Sequence, residues 1–168
     1  VAAESSGNVD DLSEASTAAG AELGVIVEIN VGMDRCGVDG DGAVELAKQI
    51  DAAPGLRFDG LMGYEGHVVA ERDYEVRKSE AEKAMAILTG AADQIRNVGI
   101  DVKLVSAAGT GTYNITGRVD GVTELQCGSY IFMDGDYLEV FKDFEPALSV
   151  LATVISRQKQ DVAIVDMG

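Results

Sequence analysis

Four short segments hold the residues most able to do chemistry: Gly32-Met33-Asp34-Arg35-Cys36-Gly37, Gly63-Tyr64-Glu65-Gly66-His67, Ser106 through Thr112, and Gly128-Ser129-Tyr130. Glycines let main-chain amides come close to an anion, and serine or threonine hydroxyls add donors. A phosphate gripped in this way needs few basic side chains. Ser106, Gly109, Thr110 and Gly111 form one such candidate, and Gly128 with Ser129 forms the other. A Gly-Thr-Gly-Thr run also reads as an ordinary turn. Arg35 is either a surface cation among carboxylates or a planar fork that donates to an oxyanion such as a phenolate. Tyr64 is either a core aromatic with a satisfied hydroxyl or a ring that meets a flat heterocycle. His67 is expected in a structural or surface role, and Glu65 as a solvated loop carboxylate rather than a general base. Cys36 and Cys127 are expected to be small buried apolar groups.

These segments matter because each follows a run that reads as a buried strand. Leu23–Val31, Phe58–Gly63, Val102–Ala107 and Val122–Cys127 are short and mostly rich in apolar residues. Between them lie helical patterns. Asn8–Ala19 has Asn8 as a plausible N-cap, with Val9, Leu12, Ala15 and Ala19 on one face. Asp41–Ala52 turns Ala43, Leu46, Ala47 and Ile50 inward. Asp73–Val98 carries the stripe Ala81, Ala84, Leu88, Ala91, Ile95 and Val98. Strand–helix alternation implies parallel pairing, in either a (β/α) barrel or an open doubly wound sheet. Both folds place ligands beyond the carboxyl ends of their strands, where the four segments fall. A closed eight-stranded barrel takes about 200 residues or more, so this chain reads as roughly half of one. The tail differs: Ala147–Ser156 and Val162–Asp166 flank a polar Arg157-Gln158-Lys159-Gln160-Asp161 segment, a hairpin pattern.

Charge narrows the partners. The chain has 168 residues, 29 acidic against 13 basic, for a net charge of −16. That argues against a nucleic-acid partner and against an anionic membrane surface. A 46% apolar content is enough for a packed core and argues against a disordered acidic tail. No apolar run reaches the roughly 20 residues of a membrane span. The opening Val1-Ala2-Ala3-Glu4-Ser5 has neither a signal-peptide pattern nor an initiator Met, so the chain is expected to be a piece of something longer. Two cysteines outside any Cys-x-x-Cys pair point to reduced thiols and a cytoplasmic setting. The acidic excess also suits a surface solvated at high salt.

Taken together, Glu28–Val38 (EINVGMDRCGV), Gly60–His67 (GLMGYEGH), Val105–Thr112 (VSAAGTGT) and Leu125–Tyr137 (LQCGSYIFMDGDY) resemble the D-threonine aldolase and D-serine dehydratase family. Those are metal-activated pyridoxal-phosphate enzymes on the alanine-racemase-type barrel, fold type III. The resemblance runs across nearly the whole chain. It implies an α/β fold: residues 1–146 as part of a cofactor-binding (β/α) TIM-type barrel, and 147–168 as a hairpin leading into a C-terminal β domain. It implies Arg35 at the cofactor's phenolic oxygen and Tyr64 at its pyridine side. Ser106, Gly109, Thr110 and Gly111 fall in one phosphate loop, and Gly128 and Ser129 in the other. The implied reaction is retro-aldol cleavage of a D-3-hydroxy amino acid, or β-elimination of water, in a full-length homodimer.

The sequence departs from the family in two respects. The family's Schiff-base lysine lies upstream of this segment, and none of Lys48, Lys78, Lys83, Lys103, Lys142 or Lys159 has its context. The family's divalent-metal ligands, a His and a Cys, lie in the C-terminal β domain, about where this chain stops. No catalytic or metal-ligating residue is therefore expected here, and the 168-residue chain alone is expected to show no turnover. A non-catalytic binding barrel, an amino-acid racemase of the same fold and a doubly wound sheet holding another phosphorylated ligand are the alternatives.

Overall fold

The computed structural model describes residues 1–167. Strand β1 (Ala2–Ala3) is followed by α1 (Ser6–Ala18), β2 (Leu23–Glu28), α2 (Gly40–Ala52), β3 (Leu56–Gly63) and α3 (Tyr74–Asn97). Then come β4 (Leu104–Ala107), α4 (Tyr113–Thr116), β5 (Glu124–Leu125), α5 (Gly135–Val140), and the strands β6 (Val154–Lys159) and β7 (Val162–Val165).

Local chemistry sets the helix ends. Ser5, not Asn8, caps α1: its side chain accepts from the Asn8 amide at 3.2 Å. The inward face of α1 is Val9 and Ser16, with Leu12 half-buried, while Ala15 and Ala19 are exposed. Asp73 caps α3 by accepting from the Glu75 and Val76 amides, and Arg96 sits in the last turn, where the helix dipole favours a cation. The stripe expected on α3 is buried from Ala81 to Ile95, but Val98 lies beyond the helix and is exposed. Leu88 is fully buried, so Leu88→Ala would cost roughly 2–5 kcal/mol.

The first five strands form one parallel sheet in the order β1-β2-β3-β4-β5. Strand β1 is a fifth strand beyond the four that periodicity implies, and β5 is shorter than its apolar run. Val25, Val27, Ile29, Phe58, Leu61, Val105 and Ala107 share one core with Val9, the inward residues of α2 and most of the α3 stripe. All three long helices therefore cover the same face. A doubly wound sheet reverses its strand order and carries helices on both faces. Sequential order with one helical layer is the arc of a (β/α) barrel, which removes the open-sheet alternative. Strands β6 and β7 pair antiparallel, as the tail pattern predicts, but β6 starts only at Val154 and runs through Arg157-Gln158-Lys159, so the turn is Gln160-Asp161 alone.

Register brings the strand ends level. Gly63 pairs with Ala107, Ala107 with Leu125, and Glu28 with Met62. The turns that follow β2, β3, β4 and β5 thus leave the sheet at one rim.

Candidate functional site

The first rim turn is built on Asn30. Its Oδ1 accepts from the amides of Gly32 at 3.0 Å and Asp34 at 3.2 Å, and its Nδ2 donates to Asp34 Oδ1 at 2.9 Å. This network holds Asp34 at φ +54, in the left-handed region. Arg35 follows, and its guanidinium lies 5.6 Å from the centre of the Tyr64 ring. Such a cation–π contact contributes about 0.5–1 kcal/mol at an exposed site. Arg35, Tyr64, Met33 and Cys36 line a narrow cleft with Glu28. Burial holds the Tyr64 hydroxyl above its ordinary range, with Tyr137 and Glu65 adding to the shift and Arg35 opposing it.

The second rim turn packs directly on Tyr64. A Cβ on Gly109 would stand 2.9 Å from Tyr64 Cε2, and one on Gly111 would stand 1.9 Å from the Val69 carbonyl oxygen. These two glycines are needed for close packing, a reason distinct from access for a ligand. Ala108 between them and β4 is buried at φ +69. The turn after β5 adjoins this one: the Tyr130 amide donates to Thr110 Oγ1 at 3.0 Å, and Cys127 Sγ lies 3.5 Å from the Gly109 carbonyl. Among the described residues, the amides of Thr110, Gly111, Gly128 and Ser129 donate to no protein group. A Cβ on Gly128 would meet nothing within 4 Å. Thr110, Cys127 and Tyr130, with Tyr113, Leu125 and Phe144, line a cavity of about 280 Å³ beside these turns. A larger groove of about 700 Å³ lies on the outer side between α1 and α2, lined by residues such as Ser13 and Gln49, away from every rim turn.

The rim thus brings together Arg35, Tyr64, Gly109, Thr110, Gly111, Gly128 and Ser129. Ser106 stands apart. It lies within β4 at 1% exposure; its hydroxyl donates to Glu124 Oε1 at 2.6 Å and accepts from Gln126 Nε2 at 2.9 Å. Two expectations are corrected. Glu65 is fully buried rather than solvated, accepting from the Ala108 amide and from the hydroxyls of Thr112 and Thr116. Cys36 is exposed and Cys127 half-buried, not core fillers; burial first, then Glu65, pushes the Cys127 thiol up. His67 is exposed beside Gly32, in keeping with a surface role. Asn30 is the rim residue that motif reading passes over, because its side chain acts on neighbouring main chain.

Among the described residues no lysine belongs to the four rim turns themselves. Lys48 and Lys83 pair with Glu45 and Glu80 on helix surfaces, and Lys78 lies near Glu82 on α3. Lys103 precedes β4, at the opposite end of the sheet, and Lys142 and Lys159 are exposed after the last rim turn. Among the described residues, no group of three or more His, Cys, Asp or Glu could hold a metal ion, and no helix is long and apolar enough to cross a membrane.

The chain has counterparts among known proteins. The chain is 39% identical to the 3-hydroxy-D-aspartate aldolase of Paracoccus denitrificans (strain Pd 1222), over 96% of this chain and 44% of that protein. It is 33% identical to the D-threo-3-hydroxyaspartate dehydratase of Delftia sp. (strain HT23), over 86% of this chain and 39% of that one. The crystal structure of D-threonine aldolase from Filomicrobium marinum superposes with a TM-score of 0.93 at 42% identity, covering all of this chain and 46% of that one. The chain therefore spans less than half the length of these relatives. The profile described as alanine racemase, N-terminal domain, matches residues 1–136, most of the sequence. Sequential parallel strands, a single helical layer and this profile lead to one assignment: the chain belongs to the alanine racemase N-terminal domain family, as a partial fold type III barrel.

Proposed function

We propose that the full-length protein is a pyridoxal-phosphate-dependent lyase acting on D-3-hydroxy amino acids, by retro-aldol cleavage or by β-elimination of water. The observation that carries this reading is the pairing of one guanidinium-over-tyrosine contact with two adjoining turns whose four amides have no protein acceptor. These residues fit the cofactor. In a chain of net charge −16, main-chain donors grip a phosphate without a cluster of basic side chains. Gly109, Thr110 and Gly111 of one turn and Gly128 and Ser129 of the other would hold the phosphate. Arg35 would donate to the phenolic oxygen, and Tyr64 would place its ring against the pyridine side. Ser106, with its hydroxyl already engaged, would support that loop from within β4. When bound, the cofactor supplies a conjugated ring that spreads the electron pair left on Cα as a bond to it breaks. The chain's part is to orient the ring. Tyr64, holding its phenol proton through the neutral range, remains a donor at that position.

The lysine that anchors the cofactor and the divalent-metal ligands are proposed to lie outside this chain, and no step is assigned to them here. Residues 147–168 would open the C-terminal β domain, an assignment supported by the antiparallel β6–β7 hairpin after a parallel sheet. A cytoplasmic setting is supported by two unpaired thiols. Sedimentation of the full-length protein checks the expected homodimer. The activity test is an assay of that protein on D-threonine, D-serine and D-3-hydroxyaspartate, with and without manganese or zinc. Glycine plus an aldehyde identifies the aldolase; a 2-oxo acid plus ammonia identifies the dehydratase. Inversion at Cα alone would make it a racemase, and no turnover of any D-amino acid overturns the reading. The lysine positions favour a further outcome for the isolated chain: borohydride treatment with pyridoxal phosphate fixes no stoichiometric cofactor on any one lysine.

A further inference from the structure

Glu65 is a fully buried charged residue that the proposed chemistry leaves unused. It follows Tyr64 directly. Among the described residues no cation pairs with it. Enclosing a carboxylate away from any cation costs several kcal/mol, so hydrogen bonds must compensate. Its Oε2 accepts from the Ala108 amide at 3.1 Å; its Oε1 accepts from Thr112 Oγ1 at 2.7 Å and Thr116 Oγ1 at 2.6 Å.

A carboxylate only accepts, so it fixes the direction of every bond around it. Thr112 must spend its one hydroxyl proton on Glu65. Its oxygen is then an acceptor, and the Gly109 amide donates to it at 3.1 Å. The Thr112 amide closes the turn on the Gly109 carbonyl at 3.1 Å. Every amide from Ala108 to Thr112 is thereby assigned inward except those of Thr110 and Gly111. Ala108 sits in the left-handed region at φ +69, which a Cβ disfavours, and the Glu65 bond to its amide helps to hold it there.

We infer that Glu65 is a positioning residue: from behind the turn after β4, its carboxylate holds Ala108–Thr112 in the one hydrogen-bonding arrangement that leaves the Thr110 and Gly111 amides free for a phosphate. This inference rests on the reading of that turn as a phosphate loop. Glutamine in place of Glu65 keeps the shape but introduces an NH2 group: facing the Ala108 amide it opposes that donor, and facing the threonines it donates to their oxygens, so that their protons must turn away and Thr112 is left with only the Gly109 carbonyl at 3.5 Å.

The test compares dissociation constants for pyridoxal phosphate and for pyridoxal, which lacks the phosphate, in the full-length protein and its variants. Glu65→Gln is expected to weaken pyridoxal phosphate roughly tenfold or more while moving pyridoxal less than about twofold, since a hydrogen bond to a charged group contributes about 1.5–3 kcal/mol. Thr112→Val is expected to behave like Glu65→Gln, and Thr112→Ser like the parent; this pair keeps the test open if Glu65→Gln does not fold. Equal weakening of both ligands by Glu65→Gln and Thr112→Val, or no weakening by either, overturns the positioning role. If the unaltered protein binds pyridoxal as tightly as its phosphate, the phosphate-loop reading itself falls, and the inference with it.

Discussion

Arg35 is an exposed side chain with an imposed direction. Asn30 fixes the turn before it, and the Tyr64 ring receives its guanidinium. Lysine has neither the planar fork nor the flat face for that contact. Arg35→Lys is therefore expected to weaken cofactor binding about tenfold, by calorimetric titration, while leaving the melting temperature within a degree or two. Acid–base behaviour follows from three other side chains. The hydrogen bond to Asp143 holds the Tyr113 phenol above its ordinary 10.0, burial raises Tyr64 from 10.0, and burial raises the Cys127 thiol from 9.0. Each binds its proton more tightly folded than unfolded. Their contribution to stability is complete below the unfolded values and is lost as pH rises through the folded ones. Thermal melts should show stability declining from about pH 9 upward, and Tyr113→Phe should flatten part of that decline. A constant melting temperature up to about pH 11 would refute this. The placement of Arg35 and Tyr64 at the rim is legible because positions in strand-end turns are local facts. Glu65 was not, because its burial depends on Thr112 and Thr116, 47 and 51 residues away.

At the scale of elements, the two glycine-bearing turns differ in why they need glycine. Gly111→Ala would drive a Cβ into the Val69 carbonyl, so the main chain must shift, at roughly 1–3 kcal/mol. For a domain of this size that lowers the melting temperature by several degrees. Gly128→Ala meets open space and should leave the melt unchanged while reducing cofactor affinity. Calorimetry on both variants separates packing from binding; equal destabilisation would show that the turns serve the same end. The long helices and central strands could be read from periodicity because each buries a continuous stripe. Strand β1 could not, since two residues define no period. Helix α1 is capped by Ser5 rather than Asn8 because a cap is chosen by side-chain geometry, which composition does not encode. Barrel against open sheet was decided by strand order, a property of pairing that no local pattern contains.

For the whole molecule, the charge of −16 is the dominant long-range term. Apart from Arg57 with the half-buried Asp59, the ion pairs among the described residues, such as Lys83 with Glu80 at 2.6 Å, are exposed and contribute at most about 1 kcal/mol each. Raising salt from 0.1 M to 1 M shortens the screening length from about 10 Å to about 3 Å. It therefore weakens the excess repulsion more than it weakens these pairs. The melting temperature should rise over that range by several degrees in potassium chloride; a flat or falling curve would mean that surface pairs outweigh net repulsion. One feature of β4 reaches further. Val105 and Ala107 face the helical layer, while Ser106 between them faces Glu124 and Gln126 on the other side. The strand thus divides its side chains between an apolar layer and a polar interior, and a substitution at Ser106 alters the second while the helix contacts of Val105 and Ala107 stay in place.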